Sequence, residues 1–402
     1  MKITNNKINL FSAILLFISF VYLFNIFIFH FNFNELIGIK GLLINYDGGF
    51  IRRGLLGEII TSLSLNYGFE IKNIFTSIHL INYIIFFYLN FLLFKQFEKN
   101  FSFYFFIFSP LYFFYPLIAI TTKYAEHIIQ RESYLITFFL IFIIMCLKIK
   151  NRNFVFFSGI LILLFLSFLY ELTILCFPFF LTIYYLYLKK NNYPIRFFEL
   201  FSALIFFFSI IIFHLSYYGE SNIELIVKNL NENFNFNFKS NDLLYSWLNK
   251  DISKQIIFFI DGFKISYIIK YIFYAHPIIL LILINHKYIK DKIYLFLFNI
   301  SILSFVIVFG IATDWARFIH ILYSLTLMTF VFYYSGKFKD IFKKISSLIT
   351  SRLKINTYLI NSFVFVYCLV WNLKHTYWQN HLSYAFIKII KQNILYFNEF
   401  IF

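Results

Sequence analysis

Charged residues are scarce in this 402-residue chain: they make up 13% of it, against 61% hydrophobic and 24% aromatic residues. A soluble domain carries about 25% charged residues. So few polar side chains cannot cover a globular core, which excludes an ordinary soluble protein. Runs of about 20 apolar residues recur along the chain, and such runs are typical of transmembrane helices. The composition therefore predicts an all-α polytopic membrane protein, with residues 1–402 forming a single integral membrane domain.

Cysteine is also scarce: the chain has three, all within apolar runs and none in a CxxC pair. We interpret them as buried small apolar side chains, not as a disulfide framework or a zinc site. The chain also lacks Walker A, GxGxxG, HExxH and GxSxG motifs, and no histidine pair has good metal-binding spacing. We therefore expect no metal and no cofactor, and ATP-driven transport is not supported.

Eleven apolar runs predict eleven membrane spans. The first is too long for a signal-peptide core and lacks an A-x-A cleavage site, so we expect an uncleaved anchor. Three elements are predicted outside the bilayer: a re-entrant or interfacial helix after the first span, a larger loop at about 218–266, and an amphipathic tail at 374–402. The predicted spans cover residues 8–30, 74–94, 101–121, 133–149, 154–170, 172–188, 198–217, 267–286, 293–312, 318–335 and 357–373.

The net charge of +16 is unevenly distributed. The basic flank MKITNNK predicts a cytoplasmic N-terminus, and alternating the spans from there puts 19 of the 35 lysines and arginines into six cytoplasmic segments. This positive-inside bias explains the charge without a nucleic-acid partner. Helical spans further predict a bacterial inner membrane. The six segments are residues 1–7, 95–100, 147–153, 188–197, 286–292 and 336–356.

The stretch YDGGFIRRGLLGE, residues 46–58, falls on the predicted outer side. Asp47 precedes two glycines that predict a tight turn, and a helical pattern begins at Phe50. Arg52 and Arg53 lie beside this helix start. Helix N-termini attract anions, and arginine grips phosphate through two nitrogens. The stretch therefore favours a phosphate site, although both arginines could instead extend to lipid headgroups.

Three further charged groups lie on the same predicted side. His127 and Arg131 share a helix face, and Glu132 opens the next span. Glu171 sits in a turn between two spans, where a carboxylate is costly unless it is paired or functional. Asp314 and Arg317 are three residues apart at the start of another span. Each group also has a purely structural interpretation: the first can be a charged loop cap, the second a polar residue that the turn needs, and the third a structural ion pair.

Taken together, these groups suit a site that binds a pyrophosphate and removes a proton from a hydroxyl. We expect Asp47 or Glu171 to act as the catalytic base, and His127, Glu132 and Asp314 to support the site. The expected ligands of the substrate diphosphate are Arg52, Arg53, Arg131 and Arg317.

The Asn-rich stretch NLNENFNFNFKSND in the larger outer loop is followed by apolar and aromatic residues. It predicts either a lid or sugar-stacking surface through Tyr245 and Trp247, or a partly ordered interfacial loop.

With its length, its ten to twelve spans, one sizeable outer loop and the stretches DGGFIRRGLLGE and DWARF, the chain resembles the Wzy-type polymerases of O-antigen and capsule repeat units. The resemblance implies an outward-facing site that takes undecaprenyl-diphosphate-linked oligosaccharide and transfers the growing chain onto the next repeat unit. It also implies contact with membrane lipid and, as a partner, a chain-length regulator protein.

Two other functions stay open. GT-C-type glycosyltransferases, which use polyprenyl-phosphate sugars, carry an acidic residue in their first outer loop, where Asp47 stands here. A lipid-linked oligosaccharide flippase or other transporter is the third candidate. A transporter should place ionisable residues near mid-span and often shows paired halves, whereas here the charged groups lie at the outer span ends.

Overall fold

The computed structural model describes residues 10–33, 37–118, 126–216, 222–240, 257, 260, 265–309, 314–335, 340–353 and 356–370. Within these ranges the regular structure is helical, with no strand, which confirms the all-α fold class. The tail 374–402, the N-terminal segment 1–7, and Tyr245 and Trp247 lie outside the described residues.

The described ranges contain eighteen α-helices with defined bounds and a 3₁₀ turn (Glu126–Ile129), joined by turns and loops. The α-helices are α1 (Leu10–Phe31), α2 (Ile37–Leu42), α3 (Gly54–Tyr67), α4 (Ile71–Phe94), α5 (Phe101–Ile107), α6 (Tyr115–Ile118), α7 (Glu132–Lys148), α8 (Arg152–Leu169), α9 (Thr173–Lys190), α10 (Phe197–Ser216), α11 (Ile223–Phe234), α12 (Ile265–Tyr274), α13 (His276–Tyr288), α14 (Lys292–Leu303), α15 (Val306–Phe309), α16 (Trp315–Tyr334), α17 (Ile341–Leu353) and α18 (Thr357–Val370).

Six segments of the described chain are long and apolar enough to cross a membrane: α1, α4, α8, α10, the pair α14–α15, and α16. A seventh is the pair α12–α13, bent by 61°. Side chains such as Phe20, Phe157 and Leu161 are more than 60% exposed, as lipid contact requires. The prediction of a polytopic protein is thus supported. The described chain has six or seven segments of this kind, against the eleven membrane spans predicted. The other four predicted spans correspond to α7, α9, α18 and the segment after Phe101.

The expected span at 101–121 is wrong as a single helix. The chain forms α5, then turns, and resumes as the four-residue α6. Pro110 explains the break, because proline lacks a backbone N–H and disfavours helix at the preceding residue. The freed carbonyls are buried and accept side-chain hydrogen bonds: Tyr323 donates to Phe106 at 2.7 Å, and Tyr22 donates to Phe113. Irregular backbone is tolerated in a bundle when the surrounding protein satisfies it in this way.

Helix α16 is the centre of the bundle and is buried along nearly its whole length. It packs against α7, α9 and α13, while α1 pairs with α4, α4 with α7, and α9 with α14. Aromatic rings fill much of the space between helices; Phe177 and Phe207, for example, stack with centroids 4.3 Å apart.

Charged residues divide between the two ends of the bundle. One end, here called the lysine end, holds ion pairs such as Lys189–Asp291 and Lys343–Glu98. The opposite end, here called the arginine end, gathers the start of α3, the start of α7, the α8–α9 turn and the start of α16. The segments expected on the outer side thus share one end of the molecule.

Candidate anion site

The site begins at a strained residue. Arg53 precedes α3 with φ 72° and ψ 11°, a left-handed conformation that is uncommon outside glycine. The helix therefore starts at Gly54, four residues later than the sequence pattern indicates. A Cβ at Gly54 would lie 2.4 Å from the Tyr46 ring, and one at Gly57 would lie 2.0 Å from the Ile44 carbonyl oxygen. The glycines let the preceding loop lie directly on α3, and this packing holds Arg53 in place.

Arg53 reaches across to the turn between α8 and α9. Its Nε donates to both carboxylate oxygens of Glu171, at 2.8 and 2.7 Å, and its Nη2 also donates to Glu171. Arg52 Nη1 lies 3.9 Å from the same carboxylate. The three side chains are 19–27% exposed, so the group is accessible from outside the bundle.

This pairing sets the charge state of Glu171. Burial alone would raise the pKa of its carboxyl group, but the charge and hydrogen bonds of Arg53, with help from Arg52, hold the pKa well below its usual range. An ionised carboxylate held by two guanidiniums is a weak base. The geometry therefore favours a role for Glu171 in orienting Arg53 over a role in proton abstraction.

Tyr170 links two arginines that are distant in sequence. The guanidinium carbons of Arg53 and Arg317 lie 5.5 and 5.9 Å from the centre of its ring, a distance typical of cation–π contacts. Its hydroxyl also accepts a hydrogen bond from Arg317 Nη2 at 2.9 Å. A single aromatic side chain therefore holds both cations at the same end of the molecule.

A second charged group lies deeper than the first. Arg317 Nε lies 2.6 Å from Glu132, and Nη1 lies 3.4 Å from Asp314. Glu132 opens α7 and Asp314 precedes α16, as the sequence predicts. The Arg317 and Glu132 side chains are 12% and 5% exposed, so this pair is more buried than Arg53–Glu171 and its attraction is less weakened by salt.

Arg131 connects the two groups through the backbone. Its Nη2 donates to the Arg53 carbonyl at 3.3 Å and also to the Gly41 carbonyl. Burial, reinforced by the charge of Arg53, lowers the pKa of Arg131 to about 10. Its hydrogen bonds fix the loop before α3, which favours a positioning role over the predicted direct contact with phosphate.

A small cavity of about 20 Å³ lies beneath the deeper group. Its walls include Glu132, Arg317, Tyr115 and His320. His320 donates from Nδ1 to the Leu111 carbonyl at 2.6 Å, which ties this wall to the broken segment after α5. The space is sufficient for about one water molecule.

Asp47 lies apart from this network. It is exposed on the turn before α3, where its carboxylate accepts a hydrogen bond from Asn45 at 2.9 Å. Among the residues described, no ion pair joins Asp47 to an arginine. His127 lies in the 3₁₀ turn ahead of α7, and its side chain falls outside the described part of the chain.

The lysine end contains a comparable ion pair that the sequence did not reveal. Arg152 donates to Glu199, which also accepts a hydrogen bond from Tyr184 at 2.8 Å. These groups close the α8–α10 contact, and they provide a structural counterpart to Arg53–Glu171. Tyr170 was likewise not singled out as a site residue, because one tyrosine among 31 carries no signal of its own.

No protein-family model, curated protein or solved structure matches this chain.

Proposed function

We propose that the protein is a glycan polymerase that transfers undecaprenyl-diphosphate-linked oligosaccharide onto the next repeat unit at the outer face of a bacterial inner membrane. The observation that carries the proposal is the gathering of Arg52, Arg53, Arg131 and Arg317 at one end of a helical bundle. This cluster holds more arginines than carboxylates, so its net positive charge favours an anion such as a diphosphate, and the bundle offers the lipid a membrane environment.

Arg53 is the principal diphosphate ligand in this proposal. Its Nε and Nη2 hold Glu171, while nothing in the described chain hydrogen-bonds its Nη1. A guanidinium has five N–H donors, so Arg53 can keep its carboxylate partner and still bind a phosphate oxygen. The partial exposure of Arg52 and Arg53 allows the diphosphate to approach from outside the bundle.

The reaction needs a base and a stabilised leaving group. An acceptor hydroxyl attacks the anomeric carbon of the donor sugar and gives its proton to Asp47, the exposed carboxylate on the turn before α3. The bond from that carbon to the diphosphate oxygen breaks, and undecaprenyl diphosphate leaves with the electron pair. Arg52 and Arg53 stabilise its negative charge. The diphosphate is already an activated leaving group, so this chemistry requires no ATP.

The direct test uses protein reconstituted in lipid nanodiscs with the isolated undecaprenyl-diphosphate repeat unit. Lipid-linked products two or more repeat units long are expected. Addition of a single sugar from a polyprenyl-phosphate donor would instead support the GT-C-type alternative. Movement of the intact lipid-linked oligosaccharide across a vesicle membrane, without elongation, would support a flippase.

A further inference from the structure

A cleft opens at the arginine end of the bundle, separate from the arginine cluster and from the small cavity beneath it. It has a volume of about 710 Å³, within the range of small-molecule sites. Its walls come from the end of α1, the α3–α4 connection and the segment that follows α11. We call it the phenylalanine cleft, after Phe31, Phe33, Phe234 and Phe236 in its lining.

Ring contacts and backbone hydrogen bonds fix the aromatic side of the cleft. Phe33 and Phe236 are buried, with ring centroids 6.2 Å apart, and Phe236 stacks on Phe238 at 4.6 Å. The Asn231 side chain both donates to and accepts from the Phe238 backbone, each at 2.9 Å. These contacts give the NFNFNF stretch a defined conformation, so its rings form a fixed wall.

The polar side of the cleft is nearly neutral. Glu70 and Lys72 form an ion pair at 3.2 Å and cancel each other's charge. Asn235, with φ 54°, is exposed on the rim, and nothing among the described residues hydrogen-bonds its side-chain amide. An amide offers both donors and an acceptor.

This combination selects the chemical class of the ligand. Aromatic faces pack against the C–H faces of a sugar ring, and amide and carboxylate groups hydrogen-bond its hydroxyls. The polar wall disfavours an acyl chain, because its groups would lose water without compensation. Among the residues that line the cleft, Glu70 offsets Lys72, so the lining carries no excess of lysine or arginine to attract a phosphate.

The position of the cleft relates it to the arginine cluster. Arg53 precedes α3, whereas Ser64, near the other end of α3, lines the cleft. Ten residues of α-helix span about 15 Å. A sugar joined directly to a diphosphate at Arg53 would not reach the cleft, but units further along an oligosaccharide would.

We propose that the phenylalanine cleft binds neutral sugar units of the oligosaccharide that lie away from its diphosphate. The identity of that oligosaccharide rests on the proposed function, whereas binding in the cleft requires neither lipid nor catalysis. The cleft would thus fix which end of the repeat unit is presented to the arginine cluster.

The test measures binding of the repeat-unit oligosaccharide, released from its lipid by mild acid, to the intact protein by calorimetry. The double variant Phe31→Ala/Asn235→Gly changes two exposed lining residues, and glycine keeps the positive φ at position 235. Its Kd should rise at least tenfold. Phe20→Ala, an exposed phenylalanine elsewhere on α1, is the matched control and should leave the Kd unchanged.

The proposal is overturned if wild type fails to bind the released oligosaccharide, or if the double variant, folded as judged by its thermal midpoint, binds it as wild type does. Asn235→Gly alone provides a milder second variant, with an expected threefold or larger loss. If the wild type binds the oligosaccharide but does not elongate it in nanodiscs, the sugar site in the cleft stands and the polymerase proposal fails. If the wild type elongates it but the double variant binds as tightly as wild type, the polymerase proposal stands and the sugar site in the cleft fails.

Discussion

At the scale of single residues, Tyr170 contacts two arginines that are far apart in the sequence. Its ring lies against the guanidiniums of Arg53 and Arg317, and its hydroxyl accepts from Arg317. Because like charges repel, two neighbouring guanidiniums need carboxylates and an aromatic face between them to remain close. Glu171 and Glu132 supply the carboxylates, one for each arginine.

Tyr170→Phe isolates the hydroxyl in this arrangement. The ring contacts remain, but the buried Arg317 loses an acceptor, which should cost about 1–3 kcal/mol. Thermal unfolding in detergent measures the loss. Tyr193→Phe is the matched control, because the Tyr193 hydroxyl is exposed and donates to the Lys150 carbonyl at the lysine end. Equal midpoints for Tyr170→Phe and the control would show that the hydroxyl is not needed to hold Arg317.

Glu171→Gln tests the carboxylate as a charge partner. The pKa of Glu171 is depressed in the folded state, so its contribution to stability is complete above the unfolded pKa of about 4.3 and is lost as the pH falls below it. The stability gap between wild type and Glu171→Gln should therefore be constant from pH 5 to 8 and shrink in stronger acid. A gap that closes between pH 8 and 6 would mean that Glu171 titrates there and is available as a base.

At the scale of elements, the start of α3 depends on close backbone packing. Gly57 lies where any Cβ would meet the Ile44 carbonyl oxygen, and the loop pressed against it leads into Arg53. The left-handed Arg53 costs conformational energy that this packing must offset. Strain of this kind often accompanies functional positions, which is a second reason to consider Arg53 central.

Gly57→Ala should therefore displace the loop and destabilise the protein by about 1–3 kcal/mol. Gly159→Ala is the matched control. Its Cβ would meet a Phe142 ring atom at 2.8 Å, and a ring can move more readily than backbone. Unfolding midpoints of both variants should show the larger drop for Gly57→Ala. An equal or larger drop for Gly159→Ala would mean that the loop yields easily and that Arg53 is not held by it.

At the scale of the whole molecule, most hydrophobic runs coincide with helices, but only six or seven of the eleven are long and apolar enough in the described chain to cross a bilayer. The gathering of Arg53, Glu171 and Arg317 at one end was also foreseeable, since charges collect at span ends. Hydropathy could not reveal the break at Pro110, whose surroundings are as apolar as a span. Neither the left-handed Arg53 nor the contacts of Tyr170 leave a local sequence pattern, because both arise from packing between distant segments.

The measurement that tests the central claim most directly is the surface-glycan ladder of a strain lacking the gene. The strain would carry wild type, Arg53→Lys, Asp47→Asn or the control Arg152→Lys at matched membrane levels. Lysine lacks the planar fork with which Arg53 pairs with Glu171 while leaving Nη1 for a diphosphate, and loss of a general base costs about 10²–10⁴-fold. Arg53→Lys and Asp47→Asn should therefore leave single repeat units, as the deletion does, while Arg152→Lys restores long chains. Full-length ladders from both Arg53→Lys and Asp47→Asn would contradict the account.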